Sequence, residues 1–190
     1  GESETVRRAR GYWVCAAEQV DGYAVPSQVV PNPIDRIAAA DAYIAASGAR
    51  IVIGGRQACY RPSTDTIHMP DEARFFGTDG RTRSDAFYGC LGHEITHWTA
   101  PGHRCARELG KRFGDDQYAA EEVIAETGAS FIAARLGIAS EPHPDHARYI
   151  SHWLTVMKSN ARAMFAAAAK AQEAVTYLDG LQSGAVRAAA

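Results

Sequence analysis

Residues 84–98 constrain this chain more than any other stretch, because they read as one helix with two unlike faces. Ser84 can cap it and Pro101-Gly102 can close it. Phe87, Leu91, Ile95 and Trp98 recur at helical spacing and require burial against a core. Ala86, Gly89, His93 and His97 line another face, where the small residues let a second element approach closely. His93 and His97 are four apart, so both imidazoles can reach one ion.

Between them stands the pattern His93-Glu94-Ile95-Thr96-His97, or HExxH. Glu94 lies about 100° round the helix from His93, beside the ligands and not on the metal. There it can take a proton from a water that zinc has acidified toward a pKa of ~7. Two histidines do not complete a tetrahedral site, so a third ligand is required. The following helix offers Glu121, Glu122 and Glu126. Glu122 and Glu126 share a face, repel one another at four-residue spacing, and have no Lys or Arg between Arg112 and Arg135 to balance them. A cation removes that conflict. The spacing suits Glu122 as ligand, with Glu126 bonding a ligating histidine from behind. His103 is the rival: it follows His97 at the spacing of HExxHxxGxxH, but Ala100-Pro101 stands where that pattern needs a glycine turn.

The rest of the chain reads as α+β, strands in the first half and helices in the second. A short strand is expected at 12–15, then a helix at 32–47 capped by Asn32 with Pro33 at its first position and stopped by Gly48. Further strands are expected at 51–53, 58–61 and 66–69, the last two flanking the hairpin signature Pro62-Ser63-Thr64-Asp65. Asp115 or Asp116 can start the acidic helix, which stops at Leu136-Gly137. Helices at 145–158 and 161–178 follow, with a frayed tail from Gly184. The expected fold is a small antiparallel or mixed sheet packed on a helical C-terminal half, in a single domain over 1–190.

At 190 residues the chain can bury a core, and its net charge of −2 supplies no basic field for nucleic acid. Four cysteines (Cys15, Cys59, Cys90, Cys105) show no CxxC pair, which favours reduced thiols. Cys90, one turn before His93, reads as a buried inert thiol and not as a nucleophile. No stretch reaches membrane-spanning length. The start at Gly-Glu-Ser, without Met, reads as a segment cut from a longer cytoplasmic protein.

Several segments together look familiar. Residues 59–70 (Cys59-Tyr60-Arg61-Pro62 through Pro70), then His93-Glu94-Ile95-Thr96-His97-Trp98-Thr99, resemble the metallopeptidase domain of ArdC-type antirestriction proteins. So do Tyr118-Ala119-Ala120-Glu121-Glu122-Val123-Ile124-Ala125-Glu126, His146-Ala147-Arg148-Tyr149-Ile150 and the early Glu18-Gln19-Val20-Asp21-Gly22. The resemblance implies a zincin-like fold and a metal held by the two histidines and a later glutamate. Full-length relatives carry an N-terminal single-stranded-DNA-binding domain, which the resemblance places outside this chain. Thr99-Ala100 departs from the Thr-Gly usual in relatives. Arg104 and Arg107 resemble family arginines but could equally line a solvated loop.

The expected function is zinc-dependent hydrolysis of a protein or peptide in a gluzincin-like site, with His93, His97 and Glu122 as ligands and Glu94 as general base. The strand at 66–69 is the expected edge that pairs with substrate, and Tyr149 and His146 are candidates to stabilise an oxyanion. The alternative is a non-catalytic, metal-stabilised module that binds DNA or a host defence protein.

Overall fold

The structure, a computed structural model, describes residues 35, 37–109, 116–139 and 163–188. The expected strand at 12–15, the Asn32-Pro33 helix start, Asp115, and the helix at 145–158 with His146 and Tyr149 lie outside the described residues.

The first helix, α1 (Ala38–Ala46), begins later than its capping signature predicts. Ile37 is extended, with φ −95° and ψ 99°. Its amide donates to the Tyr88 hydroxyl at 3.2 Å, and the Asp35 carbonyl accepts from Ser84 Oγ at 2.8 Å. These long-range bonds take backbone groups that a longer helix would use. The helix stops as expected before Gly48, whose φ of +70° suits glycine.

Three strands follow: β1 (Arg50–Gly55), β2 (Cys59–Arg61) and β3 (Thr66–Pro70). Pro62 to Asp65 make the expected tight turn, with Asp65 at φ 46°, and β2 pairs antiparallel with β3 through Tyr60↔Ile67. On its other side β3 pairs parallel with β1, Ile51 opposite Ile67, so the order is β1-β3-β2. This corrects the expectation that residues 66–69 form an edge. Their backbone groups already serve two neighbours, and Ile67 and Met69 are fully buried. A strand that apolar belongs in the middle of its sheet.

A 3₁₀ turn at Glu72–Arg74 leads to α2 (Arg83–Trp98). Its cap is Thr82, not Ser84: Thr82 Oγ1 accepts from the Asp85 amide at 3.0 Å, and Asp85 accepts from the Thr82 amide at 2.8 Å. That reciprocal pair is a capping box with Asp in place of the usual Glu. Then come α3 (Asp116–Leu136) and α4 (Ala163–Ala188). Gly137 at φ +68° ends α3, and the Ile138 amide donates to the Ala133 carbonyl at 2.9 Å, closing its last turn. Contrary to expectation, α4 does not fray at Gly184 but continues to Ala188. No helix among the described residues is long and apolar enough to cross a membrane.

Phe87, Leu91, Ile95 and Trp98 meet Ile67 and Met69 in one core that also contains Ile132 and Leu178. The other side of α2 lies against α3. A Cβ placed on Gly92 would stand 3.5 Å from Ala129 Cα, and one on Gly128 would stand 2.6 Å from Thr96. The expected close approach therefore occurs at Gly92 and Gly128. Gly89 is covered instead by the Arg81 guanidinium. A small mixed sheet thus fills the N-terminal half, the later helices lie behind it, and α2 stands between them.

Candidate metal centre

Helical periodicity puts His93 and His97 on one side of α2, and the glycine contacts bring the acidic face of α3 against them. The two imidazoles meet edge to face, and their Nε2 atoms are 3.1 Å apart. Glu122 reaches both, with Oε2 3.5 Å from His93 Nε2 and Oε1 3.5 Å from His97 Nε2. Four ligands at metal–ligand distances of ~2.1 Å in a tetrahedron lie about 3.4 Å from one another, which matches separations of 3.1, 3.5 and 3.5 Å. These three side chains could hold one metal ion.

The outward-facing ring nitrogens are also occupied. Glu126 Oε2 lies 3.2 Å from His93 Nδ1, and Glu121 Oε1 lies 3.2 Å from His97 Nδ1. A carboxylate behind each ring favours a proton on Nδ1, which in the neutral imidazole leaves the Nε2 lone pair for the shared point. Burial works against charge on both rings. The carboxylates nonetheless win, with Glu122 and Glu126 holding His93 up at about 10 and Glu121 and Glu122 raising His97. Burial likewise disfavours charge on Glu122, but the two imidazoles pull its carboxyl well below the usual range.

Glu94 is 6% exposed, and among the described residues no side chain donates a hydrogen bond to it. It follows His93 on α2 and is not one of the three converging groups. His103 is exposed and takes no part in the cluster. Ala100 is buried and outside the left-handed region, and the chain turns instead at Ala106, with φ 50°. Cys90 packs against the core, and burial pushes its thiol up to about 12. Cys59, Cys90 and Cys105 are free thiols.

The two loop arginines are held firmly. Arg104 lies 3.6 Å above the Trp98 ring and donates to the Trp98 carbonyl at 2.7 Å and to Asp65 at 2.9 Å. Arg107 forms a buried ion pair with Glu121. The tie from Arg107 through Glu121 to His97 is what the sequence does not reveal. Its one signal is Glu121 itself, an acid beside Glu122 with no basic residue on its own helix before Arg135.

The sequence profile of the zincin-like metallopeptidases matches residues 38–170, a span that contains the whole cluster. The chain belongs to the zincin-like metallopeptidase family. Among solved structures this zincin-like chain is similar to the antirestriction protein ArdC of plasmid R388. The metal-free form gives a TM-score of 0.66 at 33% identity, covering 92% of this chain and 61% of that one. The Mn(II)-bound form gives 0.65 at 30% identity, covering 91% and 62%. The uncharacterised protein y4eC of Sinorhizobium fredii is 42% identical over 186 residues, 97% of this chain and 59% of that protein. A DNA primase TraC of Escherichia coli is 36% identical over 158 residues, 83% of this chain and 14% of the primase. The zincin-like chain thus spans about three fifths of y4eC and of ArdC, and a small part of TraC.

Proposed function

We propose that this chain is the metal-dependent peptidase domain of an ArdC-like antirestriction protein, hydrolysing peptide bonds at His93, His97 and Glu122 with Glu94 as general base. The observation that carries the reading is convergence: two Nε2 atoms and one carboxylate face a common point, each imidazole is backed by its own carboxylate, and a buried glutamate stands alongside. A purely structural site normally fills its fourth position with protein and needs no adjacent base. Zinc is the expected ion for two imidazoles and a carboxylate, and the Mn(II)-bound form of ArdC makes manganese the competitor.

A divalent ion held there supplies an acidified water and an electrophile for the scissile carbonyl. Glu94 accepts the proton of the attacking water and delivers it to the leaving amine. Glu121 and Glu126 keep the ligand imidazoles oriented throughout. With β3 enclosed on both sides, the sheet edges among the described residues are β1 and β2, each with one neighbour, and an extended peptide adds to one of them. The substrate is a host protein or the parent chain.

Glu94→Gln keeps size and polarity but removes basicity. The variant should retain its metal and its fold while peptide hydrolysis falls by a factor on the order of a hundred or more. A peptide library and autocleavage of the full-length parent provide the assay, with zinc and manganese in parallel. Should wild type cleave nothing under either metal, or the glutamine variant cleave equally well, the binding-module alternative takes its place.

A further inference from the structure

The two ligand imidazoles are supported differently. Behind His97 stands a buried relay: Glu121 meets Nδ1, and Arg107 holds Glu121 by both oxygens, Nη2 to Oε1 at 2.9 Å and Nε to Oε2 at 3.1 Å. The same guanidinium donates from Nη2 to the Thr96 carbonyl at 2.7 Å and from Nη1 to Thr99 Oγ1 at 2.9 Å. The side chains of Arg107 and Glu121 are only 4% and 3% exposed, and Thr96 and Thr99 are fully buried. Arg107 therefore clamps α3 to the last turn of α2, the turn that carries His97. Glu126, behind His93, is 23% exposed.

The loop that delivers Arg107 is built around this contact. The Arg107 amide donates to the Ala100 carbonyl at 2.7 Å, and the Cys105 amide donates to the Thr99 carbonyl at 2.9 Å, folding the segment back against the end of α2. Ala106, immediately before Arg107, takes φ 50°, a conformation that costs a residue with a Cβ about 1 kcal/mol or more. Strain of this kind persists where the surroundings over-determine it. Here the guanidinium bonds and the two backbone contacts do so.

We propose that Arg107 is a positioning residue for the metal: acting through Glu121, it fixes the orientation of His97 and so sets the affinity and geometry of the ion. This rests on His93, His97 and Glu122 being the ligand set. Lysine keeps the charge but, as a compact ammonium, cannot hold both oxygens of Glu121 in a planar fork while also reaching Thr96 and Thr99.

The test uses the 190-residue chain, Co(II) as probe, and competition against a chromophoric chelator. Arg107→Lys should unfold cooperatively yet bind Co(II) about ten- to a hundredfold more weakly than wild type, with an altered visible Co(II) absorption band. Glu121→Gln should show a loss of similar size. Adding Arg107→Lys to Glu121→Gln should weaken binding little further, because the guanidinium acts through that carboxylate. If the folded lysine variant keeps wild-type affinity and spectrum, the inference fails. It fails equally if the two losses add in the double variant, or if Arg107→Lys does not fold with or without metal. Absence of Co(II) binding by wild type would instead sink the metal-site reading itself.

Discussion

Gly128→Ala tests whether the close approach of α2 and α3 sets the metal centre. In an exposed helix interior this substitution stabilises by about 1 kcal/mol, because glycine gives up more backbone freedom on folding. At Gly128 the new Cβ would stand 2.6 Å from both Cγ2 and Oγ1 of Thr96 and 3.2 Å from its Cβ. Carbon atoms in contact need ~3.5 Å, so the helices must separate by nearly ~1 Å. Thr96 has little room to yield, being fully buried, β-branched and bonded from Oγ1 to the Gly92 carbonyl at 2.8 Å. Overpacking of this size costs about 1–3 kcal/mol, which outweighs the gain in propensity and leaves a net loss of about 1 kcal/mol. For a domain of this length that lowers Tm by about 2–4 °C.

The same displacement lengthens the 3.5 Å separations between Glu122 and the two imidazoles, so zinc affinity should fall with stability. Gly180→Ala is the control. It lies in α4 with nothing within 4 Å of the added Cβ, and it should gain about 0.5–1 kcal/mol. Thermal and urea unfolding of both variants, with and without zinc, gives the comparison. If Gly128→Ala raised the midpoint as much as Gly180→Ala while keeping wild-type zinc affinity, steric contact at Thr96 could not be what positions the site.

Elemental analysis should find about one zinc per wild-type chain and per His103→Ala chain, and none after Glu122→Ala; an empty site after the His103 change alone would refute the ligand set. Asp85→Asn should destabilise by about 1–2 kcal/mol at neutral pH by weakening the α2 cap and the bond to the Ala139 amide. Burial alone would raise the Asp85 carboxyl, but the bonds from Thr82 and Ala139 lower it below its ordinary value. Its stabilisation is therefore complete above the unfolded pKa of ~3.9 and is lost as pH falls through the folded value, so urea midpoints of variant and wild type should converge below about pH 4. With a net charge of −2, the chain should bind a single-stranded oligonucleotide weakly and salt-dependently in fluorescence anisotropy, and submicromolar affinity near physiological salt would contradict that.

Local chemistry made much of the fold readable. The hairpin at 62–65, the stops at Gly48 and Gly137, and the apolar stripe of α2 each depend on residues adjacent in sequence or one turn away, and each stands where the sequence puts it. The departures are tertiary. The start of α1 yields to bonds from Tyr88 and Ser84, residues some fifty positions away. The strand at 66–69 becomes central because β1 returns to it in parallel, a pairing that no hairpin signature announces. Thr82 displaces Ser84 as cap because the acid it needs is Asp85 and the Ser84 hydroxyl is engaged with Asp35.

At the site the same division falls between the helices and the register that joins them. His93 and His97 repeat at four residues on α2, and Glu122 and Glu126 repeat at four on α3. Each pair alone declares a face, and equal spacing lets the faces mesh whichever way the helices run, so the contacts must show that they run antiparallel. They do: Gly92 meets Ala129, His93 meets Glu126, and His97 meets Glu122. What locks this register is Gly128 against Thr96, a contact between one absent and one branched side chain that helical periodicity cannot disclose. Glu121 then falls about 100° round from Glu122, away from the shared point and onto the outer nitrogen of His97. Three carboxylates of one helix thus take three different places around the two imidazoles, and the one the sequence leaves unexplained is the one Arg107 holds.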